Sequence, residues 1–275
     1  AKPMARPDFL IVGAMKCGTS TLHSQLSAQP GVFMTTPKEP NFFSDDDIYS
    51  RGLDWYESLF EDADQSDLKG EASTHYTKLP DYPKTVERIA RSLFPIRIVY
   101  VIRDPLERAI SHYLHEWSRG VVGNDVEAAF RDHPEFLSYS CYARQIAPYV
   151  EQFGLDSILV LTLEDMKSNP TDFMARLGDF LGRTDLAWNH ELEPVNESAE
   201  RSRPLPFHSL LVDHPVARHV RRKIVPKGVR TWIRRQRMPK ERPELPDHLR
   251  TRLLARFQED AEELAVLLSG SKEDA

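Results

Sequence analysis

The stretch Gly13-Ala14-Met15-Lys16-Cys17-Gly18-Thr19-Ser20-Thr21-Leu22 constrains this chain more than any other. It follows the apolar run Phe9–Val12, which reads as a buried strand. It leads into a helix that the spacing of Leu22 and Leu26 carries to just before Pro30. Strand, glycine-bearing loop and helix are the opening of a nucleotide-binding α/β fold. In such a loop backbone N–H groups converge on an anion, and the helix N-terminus adds positive potential. Lys16 supplies a point charge, and Thr19, Ser20 and Thr21 supply hydroxyl donors. The nucleoside triphosphatase loop, G-x-x-x-x-G-K-[ST], has glycines at the same spacing. Here Thr19 holds the lysine's position and the lysine stands ahead of the second glycine, which argues against a Mg-nucleotide triphosphatase.

The remaining elements follow the same alternation. Pro83–Leu93 reads as a helix and Arg97–Ile102 as a β-branched strand that stops at Arg103-Asp104-Pro105. Asp104 can cap a new helix with Pro105 at its first position, and Leu106, Ile110, Tyr113, Leu114 and Trp117 give that helix an apolar stripe. Tyr142–Phe153 and Thr171–Leu181 read as helices, and Ser157–Leu163 as another buried strand. The last helix is expected over Asp247–Leu268, with Leu249, Leu253, Phe257, Ala261, Leu264 and Leu268 on one face. Residues 31–82 read as mostly loops and short helices lining a site, and 194–246 as irregular with short helices near 216–224 and 228–236. Buried strands alternating with helices imply a parallel sheet covered on both faces. With 275 residues, a single domain over 1–275 is expected.

Composition excludes several classes. No stretch approaches the roughly 20 apolar residues of a membrane span, and Phe9–Ala14 is too short for a signal peptide. Two cysteines, Cys17 and Cys141, argue against a disulfide scaffold and suit a reducing compartment, so a cytoplasmic location is expected. The net charge of −6 conceals a basic segment: Val216 to Arg242 holds eleven Lys or Arg and one acid, Glu241. That segment suits nucleic acid, anionic lipid, an anionic cofactor or a solvated helical face.

Lys16-Cys17-Gly18-Thr19-Ser20 after a strand resembles the 5′-phosphosulfate loop of the sulfotransferases that use 3′-phosphoadenosine 5′-phosphosulfate (PAPS). Their second motif, for the 3′-phosphate, is an arginine ending a strand and a serine eight residues on in the next helix; Arg103 and Ser111 are similar to it. Arginine's planar fork suits a phosphate. The chain most resembles the branch of the heparan sulfate glucosaminyl sulfotransferases and their bacterial relatives. Lys38-Glu39-Pro40-Asn41-Phe42-Phe43 looks like that branch's Glu-x-x-Phe-Phe, whose glutamate is the general base. Gly52-Leu53-Asp54-Trp55-Tyr56 looks like its Gly-Leu-x-Trp-Tyr, and Gly70-Glu71-Ala72-Ser73-Thr74-His75-Tyr76 like its Glu-Lys-(Ser/Thr)-Pro-x-Tyr. Lys240-Glu241-Arg242 stands where the family's Lys-Gly-Arg closes over the 3′-phosphate. Departures are Ala72 for a lysine, Thr74 for a proline, Ser44 for an aspartate and Glu241 for a glycine.

The resemblance implies a P-loop-like three-layer sandwich, a central parallel sheet flanked by helices. It implies an enzyme that moves a sulfuryl group from PAPS, releasing PAP, onto a hydroxyl or amine of a small-molecule or glycan-like acceptor. Lys16 then stabilises charge on the leaving oxygen, with Cys17, Gly18, Thr19, Ser20, Thr21, Arg103, Ser111, Lys240 and Arg242 holding the donor. The acceptor's proton goes to Glu39, with His75 as second candidate, a general base being worth about 10²–10⁴-fold. No metal, nucleic-acid partner or membrane span is expected. Phe42, Phe43, Trp55 and Tyr56 suit either an acceptor pocket or the core, and Cys17 fills space. His112 and His115 receive no role. A P-loop kinase is the enzymatic alternative, and a silent nucleotide- or nucleic-acid-binding protein using 216–242 the non-enzymatic one.

Overall fold

The computed structural model describes residues 6–192, Val195 and 243–270. Its strands are β1 (Phe9–Gly13), β2 (Val32–Met34), β3 (Leu68–Ala72), β4 (Arg97–Ile102) and β5 (Ile158–Thr162). They form one sheet in the order β2-β3-β1-β4-β5, with every neighbouring pair parallel. The helices are α1 (Thr19–Ser27), α2 (Asp46–Tyr49), α3 (Leu53–Ser58), α4 (Thr85–Leu93), α5 (Pro105–Ser118) and α6 (Val126–Asp132). They continue as α7 (Glu135–Ser138), α8 (Tyr142–Phe153), α9 (Leu163–Ser168), α10 (Pro170–Leu181) and α11 (Asp247–Ser269). This is the expected central parallel sheet flanked by helices. No helix among the described residues is long and apolar enough to cross a membrane.

β1 is buried at all of its positions, as a central parallel strand must be, and pairs Phe9 with Gly70 of β3 and Leu10 with Ile98 of β4. The expectation of loops and short helices for 31–82 holds for α2, α3 and the 3₁₀ turn Thr74–Thr77. It misses two strands. β2 is short, and β3 reads Leu-Lys-Gly-Glu-Ala, without a β-branched residue. Packing decides there: a Cβ on Gly70 would lie 2.2 Å from Phe9 Cζ and 2.7 Å from Met34 Sδ, so only glycine lets β3 seat between those side chains.

Helix boundaries follow capping chemistry. Asp104 accepts the N–H of Glu107 at 2.8 Å, with Pro105 in the first turn of α5. Thr162, the end of β5, accepts the N–H of Asp165 at 3.0 Å, which turns the expected strand tail at Leu163 into the start of α9. One core surrounds the sheet; a second lies between α5, α6, α7 and α11 around Ile110, Phe130, Phe136, Leu253 and Phe257. Along α11 the buried face departs from expectation: Leu249, Leu253, Phe257 and Asp260 are buried, while Ala261 and Leu268 are exposed. Steps of four residues overshoot a full turn by about 40°, so the inward face passes from Phe257 to Asp260, Leu264 and Leu267. The helices expected near 216–224 and 228–236 lie outside the described residues, as do Lys240 and Arg242.

Candidate active site

In a parallel sheet the carboxyl ends of all strands share one edge, and ligands of open α/β folds bind there. From that edge emerge the 14–18 loop after β1, Ser73 to Lys78 after β3, Arg103 after β4 and α9 after β5. The 14–18 loop is tied down by its backbone: Ala14 N–H donates to Val101 O at 2.6 Å, and Cys17 N–H to Ala14 O at 3.1 Å. Lys16 takes a left-handed φ of 69°, uncommon outside glycine. Gly18 has φ 84° at the N-cap of α1, where a Cβ would come within 2.7 Å of Leu163 Cδ1. Among the described residues no side chain caps α1, and a helix N-terminus carries the positive potential that suits an anion.

Lys16, Gly18, Thr19, Ser20, Thr21 and Arg103 line a cavity of about 390 Å³, whose far end is walled by Leu163, Met166 and Trp188. Arg103 Nη1 donates to Lys16 O at 3.4 Å and Nη2 stands 3.6 Å from Glu107, while its buried Nε has no hydrogen-bond partner among the described residues. A guanidinium, a helix N-terminus, a lysine and three hydroxyls around one cavity make a donor set that suits a phosphate. Two of the residues expected to hold the donor do not line this cavity. Ser111 is buried on α5. Cys17 is turned inward, its Sγ 3.8 Å from Tyr142 Oη, and burial pushes its thiol up to about 12.

A second cavity, of about 680 Å³, adjoins the same loop. Ser20 lines both; Met15 faces the second. Its wall carries Lys38, Glu39, Thr74, His75, Lys78 and His115. Glu39 also has a left-handed φ, 62°, and its N–H donates to Ala72 O at 3.0 Å. Two donors converge on its Oε1, Lys38 Nζ at 2.6 Å and Thr74 Oγ1 at 3.2 Å; Oε2 receives no hydrogen bond among the described residues. His75 stacks on Tyr82 at 4.8 Å, with a buried Nδ1 that has no partner among the described residues. Burial, with Lys78 beside it, pushes the imidazole down to about 4.

Two residues without an assigned role line this site, His115 and Lys78, and a third, Glu71, is buried behind it. Lys16 Nζ lies 3.5 Å from His115 Nδ1, one helical turn beyond Ser111 on α5. Lys78 follows the strand that lacks the family's lysine at position 72 and returns an ammonium to the same cavity. Glu71, fully buried beneath the cavity, gathers hydroxyls around its carboxyl group. Position along α5 is a usable signal for His115; nothing in the local pattern marks Lys78. The aromatics Phe42, Phe43 and Tyr56 pack against one another in the core and line neither cavity.

Residues 6–259 match the sulfotransferase domain. The chain is 32% identical over 188 residues to heparan sulfate glucosamine 3-O-sulfotransferase 3B1 of Mus musculus, covering 64% of this chain and 46% of that one. It is 28% identical over 199 residues to bifunctional heparan sulfate N-deacetylase/N-sulfotransferase 4 of Mus musculus, covering 65% of this chain and 22% of that one. It therefore spans about half the length of these curated relatives, or less. The solved sulfotransferase from Alicyclobacillus acidocaldarius matches with a TM-score of 0.67 and 25% identity, covering 98% of each chain. Matched over most of its length, with the loop after β1 and Arg103 gathered at one edge of a parallel sheet, the chain belongs to the sulfotransferase domain family.

Proposed function

We propose that this chain transfers the sulfuryl group of PAPS to a hydroxyl or amine of a small or medium-sized, glycan-like acceptor. The observation that carries the reading is that two cavities adjoin at the loop after β1 and share Ser20. Lys16, Thr19, Thr21 and Arg103 line the first, Met15 and Glu39 the second, and the Lys16 ammonium reaches His115 of the second. A donor held in the first cavity and an acceptor in the second would meet beside Ser20, which suits the in-line displacement that sulfuryl transfer needs. Bound PAPS supplies the sulfuryl group and departs as PAP.

Arg103 and the hydroxyls of Thr19 to Thr21 hold phosphate oxygens. Lys16 neutralises the charge that grows on the bridging oxygen as its bond to sulfur breaks. Glu39 takes the acceptor's proton through Oε2 as the new bond to sulfur forms. It is preferred to His75, whose imidazole at about 4 is a weak base. The kinase alternative is not favoured, because Thr19 occupies the lysine position of its loop and the matched domain is that of a sulfotransferase. A cytoplasmic location is retained within this proposal on the two unpaired cysteines, and cell fractionation tests it.

Calorimetric titration with PAP, against ATP as control, tests the donor; an acceptor screen with radiolabelled PAPS tests the transfer. Tight PAP binding that weakens in Arg103→Ala, with labelled product, supports the reading. Preference for Mg-ATP would overturn it.

A further inference from the structure

Glu71 ends β3 with its side chain wholly buried, and it lines neither cavity. Its hydrogen bonds come from three hydroxyls: Tyr56 Oη at 2.7 Å and Tyr76 Oη at 3.2 Å on Oε2, and Ser73 Oγ at 2.5 Å on Oε1. An ionised carboxylate can only accept, so each hydroxyl points its proton at Glu71 and turns a lone pair outward. Two of those lone pairs are used: Ser73 Oγ accepts the N–H of Asn41 at 3.1 Å, and Tyr76 Oη the N–H of Phe43 at 3.4 Å. Both N–H groups lie just beyond Glu39, in a segment with left-handed φ at Glu39 (62°) and Asn41 (53°). Such a backbone persists only where its surroundings over-determine it. The β3 end supplies that: Ala72 O, Ser73 and Tyr76 hold the backbone of 39–43, and Thr74 holds the Glu39 carboxylate.

We infer that Glu71 is a positioning residue for sulfuryl transfer: by fixing the direction of the Ser73 and Tyr76 hydroxyls, it holds the 39–43 segment so that Glu39 faces the acceptor. The inference rests on Glu39 being the base. Glu71→Gln keeps the shape but turns one acceptor oxygen into a donor aimed at a hydroxyl that is already donating. One hydroxyl must then rotate, which turns its lone pairs away from the direction that now serves a backbone N–H of the segment and weakens that bond.

The test is a double-mutant cycle of Glu71→Gln and Glu39→Gln, read as kcat for transfer from radiolabelled PAPS to a glucosamine-containing oligosaccharide, with PAP affinity measured in parallel. Glu71→Gln is expected to lower kcat about 10- to 100-fold with PAP affinity unchanged, and to have no further effect once Glu39 is Gln. An equal loss in both backgrounds, or no loss in either, overturns the inference. If Glu39→Gln alone leaves kcat intact, the base assignment fails and takes the inference with it. Amide hydrogen exchange of 39–43 requires no acceptor: Asn41 and Phe43 are expected to exchange about tenfold faster in Glu71→Gln, and unchanged exchange sinks the proposal. Should Glu71→Gln fail to fold, Ser73→Ala removes the Asn41 link alone and enters the same cycle.

Discussion

Asp260, on the last helix, accepts the backbone N–H of Ala143 at 3.0 Å and that of Arg144 at 3.4 Å, and so caps α8 from a remote part of the chain. A carboxylate at a helix N-terminus meets open N–H groups and a favourable dipole at once. The contact staples α11 to the body of the protein where its buried face has just precessed past Phe257. Asp260→Ala is expected to cost ~1–3 kcal/mol, read as a lower urea midpoint. Asp260→Asn, which keeps one acceptor oxygen, recovers part of it.

Under the proposed function, Arg103 and Lys16 separate binding from chemistry. Arg103→Ala is expected to weaken PAP about 10- to 100-fold, the worth of charge-assisted hydrogen bonds lost from a buried guanidinium. Arg103→Lys restores only part of that, because an ammonium lacks the planar fork. Lys16→Ala should slow transfer far more than it weakens PAP, with calorimetry and single-turnover rates as the two readouts.

How far these roles were legible in the sequence depended on how local their causes are. The phosphate loop and the Arg103 strand end are written in adjacent residues, as strand, turn and cap, so β1, α1, β4 and α5 emerge from periodicity and punctuation alone. β3 has no such signature, since its strand character comes from Phe9 and Met34 crowding Gly70 across the sheet. The fold therefore read well at its centre and poorly toward the β2 edge. Glu39 and Glu71 lie in matching motifs, yet the hydroxyl links between them depend on a turn whose geometry no spacing rule predicts. The inward turn of Cys17 is likewise settled by packing against Tyr142.

The Glu71 carboxyl also leaves a mark on stability. Burial pushes it up to about 7 from 4.5 despite the hydroxyls that favour its ionised form. Between those values the folded protein binds more protons at this site than the unfolded chain, so its contribution to stability falls as pH rises through that window. Over the full shift the loss is about 3 kcal/mol. Urea midpoints for wild type and Glu71→Gln should converge differently across pH 4.5 to 7: the wild-type curve carries this decline and the variant lacks it.

Lys78 is pushed down to about 8, mainly by burial and against the pull of Glu39 and Glu116. Its ammonium is therefore charged at neutral pH and is lost well below the range of an ordinary lysine, about 10.4. Competitive acylation read by peptide mass spectrometry should show half-maximal labelling of Lys78 near pH 8. A midpoint near 10 would contradict this, and Lys78→Arg is expected to keep the cation through the whole range.

The left-handed backbone at Glu39 means that the proposed base occupies a position where glycine would be more comfortable. A residue with a Cβ there costs about 1–2 kcal/mol. Heat resistance and turnover consequently pull on this one codon in opposite directions. A library of variants selected for thermal survival alone will accumulate glycine at 39, and its survivors will still hold the nucleotide but will have lost the chemistry.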